Sequence, residues 1–172
     1  MWLLGFPDQA LKRGNEALAL AQALSHPFSL GFAELSIVVL RAYRREPRAA
    51  QEGAESVIAL SAEHGFSQLL AVATALLGGA KAEQGRHEEA IAQLREGLAA
   101  YRAIGAEVGR PYFLCLLAES CKETGHFDEG LNALTEALAA AEEHENRVFE
   151  AEAHRLKGGL LLRRDDSNAA EA

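Results

Sequence analysis

Much that would mark a secreted, membrane or nucleic-acid-binding protein is scarce in this chain. Cysteine is limited to Cys115 and Cys121. Their spacing turns them about 120° apart around a helix, so they read as free thiols suited to a reducing cytoplasm rather than as a disulfide. Positive charge is in deficit: 17 Lys and Arg against 25 Asp and Glu leave a formal charge of -8. That field repels phosphate backbones and anionic lipid heads, which argues against nucleic acid and membrane surfaces as partners. No apolar run approaches the ~20 residues a bilayer crossing requires, and no cationic stretch precedes Met1-Trp2-Leu3-Leu4-Gly5. Proline is limited to four residues and tryptophan to one, and the apolar content is mostly Leu and Ala. These favour helix over strand, and an all-α class follows.

What the chain does contain is a period. A spacing of 40 aligns nearly all 172 residues without insertion or deletion. Ala10, Ala50, Ala90 and Gly130 form a small-residue column, and Leu18, Ile58, Leu98 and Leu138 a large apolar one eight residues later. Between them lie Ala17, Val57, Gly97 and Ala137, a narrow stripe where a neighbouring backbone can approach. Turn positions recur with the same period: Gly5, Gly85 and Gly125 share one column, and Gly65 and Gly105 another. Each repeat is therefore a helix pair. Pro7, Pro27, Pro47 and Pro111 fall near helix starts, where a missing N–H is tolerated. The pattern predicts helices at 8–24, 28–44, 47–64, 68–84, 87–104, 110–124, 127–144 and 147–163. Short links make consecutive helices antiparallel, stacked in a single solenoid domain spanning 1–172.

The stretch from Leu77-Gly78 through the turn Gly85 to Glu88-Glu89-Ala90-Ile91 resembles the tetratricopeptide (TPR) consensus, and Leu117-Ala118 through Gly125 to Asp128, Glu129, Gly130 and Leu131 repeats it. The first repeats depart from it, with Arg45 in place of the turn Gly and Val38 in place of the small residue. The resemblance implies a TPR-like α-solenoid whose second helices are longer than usual. At finer grain the chain is similar to the C-terminal repeat region of bacterial proteins that join an adenylate or guanylate cyclase, or a DNA-binding module, to an AAA-like ATPase. That similarity rests on Gly5-Phe6-Pro7-Asp8-Gln9-Ala10-Leu11, His26-Pro27-Phe28-Ser29-Leu30, Arg110-Pro111-Tyr112-Phe113-Leu114 and Glu150 to Gly158. It implies a region that receives a partner or signal. The cyclase and ATPase parts, with any phosphate loop, are absent, so no nucleotide chemistry carries over.

Catalytic and metal constellations do not assemble. His87-Glu88-Glu89-Ala90 would need a second His where Ile91 stands. His126 with Asp128, and His64 with Glu63, want a third ligand. His154 is assigned to packing or hydrogen bonding. Gly78-Gly79 and Gly158-Gly159, in one repeat column, read as close helix packing because no Lys-Ser or Lys-Thr follows them. Cys115 has no base arranged beside it. No enzyme activity, cofactor or metal is expected.

The positive expectation is a surface. A helix-pair solenoid lines its concave side with the first helix of each pair. Groove positions implied by the TPR resemblance are Phe32, Leu35, Val39 and Tyr43, then Ala75, Gly79 and Glu83, then Tyr112, Cys115, Glu119 and Lys122, then Glu152, Arg155 and Arg163. The apolar members read equally as core. The set lacks the Lys and Asn with which chaperone-binding relatives clamp a terminal carboxylate. Two functions remain open: a protein-interaction and regulatory module, or a sensor holding a small ligand or short peptide in the groove. Trp2, Leu3 and Leu4 at one end and Leu160, Leu161 and Leu162 at the other read as uncapped, which predicts a longer natural protein or a homodimer through the terminal helices.

Overall fold

A computed structural model describes residues 4–143 and 147–171. Among these there are eight α-helices and no strand: α1 Pro7–Leu24, α2 Pro27–Tyr43, α3 Pro47–His64, α4 Ser67–Glu83, α5 His87–Ala103, α6 Arg110–Thr124, α7 Phe127–Glu143 and α8 Glu150–Glu171. The all-α repeat architecture is as the period requires. The exception in boundaries is α8, which starts after a 3-10 turn at Arg147–Phe149 and runs eight residues past the expected 163. Trp2 and Leu3, and position 144 at the expected end of α7, lie outside the described residues.

Helix ends follow from local chemistry. Proline occupies the first turn of α1, α2, α3 and α6. The His26 imidazole caps α2, its Nδ1 accepting from the Ser29 N–H at 3.3 Å. The two turn columns are left-handed at seven described positions: Gly5, Arg45, Gly85 and Gly125 have φ of 81, 57, 78 and 81°, and Ser25, Gly65 and Gly105 have 51, 73 and 67°. Glycine holds this conformation without penalty. Among the described residues, Arg45 and Ser25 are the two other residues that take it. Most links are two or three residues, and the longer one expected before residue 110 is present. Residues 104–109 separate α5 from α6, pinned where the Tyr101 hydroxyl donates to the Val108 carbonyl and where Arg110 pairs with Glu107 at 2.7 Å.

Two layers result. Each helix packs on the next in sequence, and in addition α2 packs on α4, α4 on α6 and α6 on α8, whereas the odd helices have no comparable contact with one another. Small residues permit the close packing. A Cβ on Gly97 would lie 2.6 Å from the Ala75 nitrogen, one on Gly78 2.7 Å from Leu94 Cγ, and one on Gly79 2.8 Å from Leu116 Cδ1. The outer helices are instead bridged at arm's length by long side chains, Arg95 to Glu129 at 2.7 Å and Arg102 to Glu136 at 2.6 Å. A tight even layer and a splayed odd layer make the even side the inner face.

The core runs between the layers. One apolar cluster joins α2, α3, α4 and α6 around Val38, Val57, Leu69 and Leu76, and another joins α5 to α8 around Leu94, Leu134, Leu156 and Leu160. The small column is buried at all four positions, while the column of Leu18, Ile58, Leu98 and Leu138 is half-buried at every repeat. Ala17 breaks the stripe that Val57, Gly97 and Ala137 maintain, since it is exposed on α1. Gly158 also departs from expectation. Nothing lies within 4 Å of its Cβ position, so the close-packing role that Gly78 and Gly79 perform is not repeated there.

Candidate partner-binding cleft

The repeat period places equivalent side chains in rows along the inner face. Tyr43, Glu83, Glu123 and Arg163 occupy one column, and Phe32, Val72, Tyr112 and Glu152 another. Direct packing of the even helices brings the later members of these rows around a single cleft. Its deeper part, about 190 Å³, is lined by Tyr43, Tyr112, Cys115, Phe149 and Glu152 among others. Its wider part, about 430 Å³, reaches Pro47, His87 and Glu123. Arg45, Glu83, Leu116 and Glu119 line both, so the two are one continuous depression.

The deeper wall is aromatic. Tyr112 sits at its centre, edge-on to Tyr43 with centroids 5.5 Å apart and tilted against Phe149 at 5.2 Å. Burial pushes the Tyr112 hydroxyl far above its ordinary value, and neighbouring Tyr43, Glu83 and Glu119 add to that rise while Arg45 opposes it. The Cys115 thiol is pushed up to about 12 by burial, reinforced by Glu152 and Glu119. A thiol so protonated is no nucleophile at neutral pH. Partial desolvation also raises the Glu83 carboxyl, with Glu119 contributing in the same direction and Arg45 in the other.

Ion pairing divides the cleft. At the far edge Glu123 accepts from Lys122 at 3.1 Å and Arg163 at 3.4 Å, and Glu152 is held by both guanidinium arms of Arg155 at 2.7 and 2.6 Å. In the middle, Arg45, Glu83 and Glu119 form no ion pair within 4.0 Å among the described residues. The His87 Nδ1 is buried in the wider part with no hydrogen-bond partner.

Of the groove positions implied by the sequence, Tyr43, Glu83, Tyr112, Cys115, Glu119 and Glu152 converge on the cleft, with Lys122, Arg155 and Arg163 as its paired basic flank. The others do not belong to it. Leu35 and Ala75 are core, and Gly79 lies beneath Leu116, because the contact of α2 with α4 and of α4 with α6 consumes that stripe of each inner helix. Val39 is half-buried against the same core. Phe32 is exposed, but eleven residues before Tyr43 on one helix puts it about 16 Å away, where it stacks on Phe28 instead.

Arg45, Leu116, Phe149 and His87 were not among the expected groove residues. Arg45 was visible in the sequence as a departure from a glycine column, and Leu116 follows Tyr112 by one helical turn. Phe149 and His87 gave no such signal, because their positions depend on how the link before α8 and the start of α5 fold. His154 is exposed, with no hydrogen bond among the described residues, which replaces the packing role expected for it. Among the described residues no group of three side chains could hold a metal ion, and no helix is long and apolar enough to cross a membrane.

No protein-family model matches the sequence, and no curated protein matches it. Among solved structures the chain is similar to aspartyl phosphate phosphatase F from Bacillus subtilis, at a TM-score of 0.74 and 14% identity. The alignment covers 99% of this chain and 44% of that one, so the chain spans less than half the length of its structural neighbour. The likeness is one of fold: this chain has the helical-repeat, TPR-like architecture.

Proposed function

We propose that the protein is a non-catalytic, regulatory interaction module that docks a protein or peptide segment in the cleft on its inner face. The observation that carries the reading is the row of Arg45, Glu83 and Glu119, charged groups without ion-pair partners in the middle of a preformed depression. At its edge Glu123 and Glu152 are paired, with Lys122 and Arg163 and with Arg155. The protonated Cys115 and the unassembled acid, base and metal groups support a binding rather than a chemical role. The neighbour's name refers to phosphatase activity, and with 14% identity that activity is not transferred.

The alternative is a sensor for a small ligand. The part of the cleft around Tyr112, about 190 Å³, is smaller than the roughly 300–1,000 Å³ of sites that bury a drug-sized molecule, and it is as open to solvent as the wider part. Its continuity with the wider trough favours an extended segment. The resemblance to repeat regions of bacterial cyclase, ATPase and transcription regulators supports attachment to, or partnership with, such a signalling protein, in the reducing cytoplasm where both thiols stay free. Self-association belongs to the same reading, supported by exposed Phe6, Leu20 and Leu24 around α1. Sedimentation equilibrium at high concentration tests it, and a clean monomer removes it.

Photo-crosslinking tests the docking face. A benzoylphenylalanine replacing Glu123, at the far edge of the cleft, is expected to capture a defined partner in cells, whereas one replacing Glu96 on outer helix α5 is not. Equal capture from both positions would defeat the assignment.

A further inference from the structure

We infer that the cleft takes a lysine or arginine side chain presented by an extended protein segment, its cationic head between Glu83 and Glu119 and its stem along Tyr112. This rests on the docking reading above and names the chemistry of the segment.

Charge gives the first argument. The middle of the cleft carries two carboxylates and one guanidinium without ion pairs, an uncompensated negative charge. Burial raises Glu83 on α4 and Tyr112 and Cys115 on α6, and Glu119 adds to the rise at all three, while Arg45 opposes it at Glu83 and Tyr112. A cation beside Glu119 offsets that carboxylate's contribution. An anion meets Glu83, Glu119 and Glu152 together.

Shape gives the second. Tyr43, Tyr112 and Phe149 build an aromatic wall beside those carboxylates, with centroids 5.5 and 5.2 Å apart. Aromatic faces attract ammonium and guanidinium groups and accommodate the apolar stem of Lys or Arg. Head and stem are thus both matched.

The third argument separates a protein segment from a free amine. Arg45 sits in the same cleft without an ion pair, and the buried His87 Nδ1 is without a hydrogen-bond partner. A free polyamine brings cations only and would be repelled by Arg45. A peptide brings backbone carbonyls that accept from Arg45 and N–H groups that the glutamates and His87 can meet. Arg45 holds this place at a φ of 57°, where the equivalent turns use Gly85 and Gly125. A side chain kept in a left-handed position against its own strain fits a residue used for contact.

Fluorescence anisotropy on the full chain with labelled eight-residue peptide pools tests the inference. The pools are random except for a fixed central residue, which is Arg, Lys, the neutral isostere citrulline, or Glu. The Arg and Lys pools should bind about tenfold tighter than the citrulline and Glu pools, and the advantage should shrink in 1 M salt. The Glu83→Gln/Glu119→Gln protein should lose that advantage, and Glu96→Gln on the outer face should keep it, with circular dichroism confirming that both are folded. Equal binding of the Arg and citrulline pools overturns the cation site yet leaves a docking cleft. Binding of spermidine or N-acetyl-arginine amide as tight as that of the Arg pool overturns the protein segment as occupant. Absence of binding by every pool overturns this inference and the docking reading together.

Discussion

At Arg45 a left-handed backbone carries a long side chain where the other repeats carry glycine. For an L-residue that conformation is unfavourable by roughly 1–2 kcal/mol, and the freedom glycine gains when unfolded returns about 0.5–1 of it. Arg45→Gly is therefore expected to stabilise the protein by about 0.5–1 kcal/mol in urea unfolding while weakening capture of a segment at the cleft. Stabilisation with undiminished capture would mean that the guanidinium serves nothing there. Read from sequence alone, Arg45 was a degenerate repeat position. Its use as a cleft residue depends on the packing of α4 and α6 beside it, which brings Glu83, Leu116 and Glu119 within its reach. The same contrast holds for Cys115. Helical spacing placed it on the inner side of α6, and burial decided that it forms the floor of the cleft rather than a reactive surface group.

On the scale of the helices, glycine has two unlike roles that one repeat column cannot separate. Gly97 on α5 faces the backbone of α4, with the Ala75 nitrogen 2.6 Å and its Cα 2.8 Å from the position of a Cβ. Backbone cannot swing aside as a side chain can, so Gly97→Ala should force α4 and α5 apart and destabilise by about 3 kcal/mol, the upper end of overpacking effects. Gly158 on α8 meets nothing, and Gly158→Ala should stabilise by about 1 kcal/mol through helix propensity. Thermal melts of the two variants should shift in opposite directions, and a common direction would contradict the packing described. Helix starts were legible because proline and turn residues act locally. The extension of α8 and the 3-10 turn before it were not. These depend on contacts with the preceding pair.

For the molecule as a whole, acid should be the sensitive direction. Guanidinium hydrogen bonds draw Glu129 and Glu152 below the usual carboxylate range, through Arg95 and Arg155. Burial raises Glu136, but Arg110 and Arg102 together outweigh it and the net shift is downward. A carboxylate with a depressed folded pKa stabilises the fold above its unfolded value and loses that contribution as pH falls through the folded one. Glu83 has the opposite sign: its raised pKa makes the ionised form unfavourable at neutral pH, and acid relieves it. The depressed groups outnumber it, so the urea midpoint should hold from pH 7 to about 5 and decline below about pH 4.5. A midpoint unchanged at pH 3.5 would show that the Arg–Glu struts across α5, α6 and α7 contribute nothing. Their partial exposure keeps each contribution modest.

The sequence by itself determined the helical class, the period of 40, nearly every helix start and the direction in which the inner helices face. Those follow from propensity, spacing and turn chemistry, all of which act over a few residues. Tertiary structure decided which inner residues are surface. Packing of even helix on even helix withdrew Leu35, Ala75 and Gly79 into the interior, and it gathered Tyr43, Glu83, Tyr112 and Glu119, up to 76 residues apart, with Arg45 and Phe149 around one cleft. A repeat pattern records which side of a helix is apolar, but the depth to which neighbours bury that side is set only when the layers close.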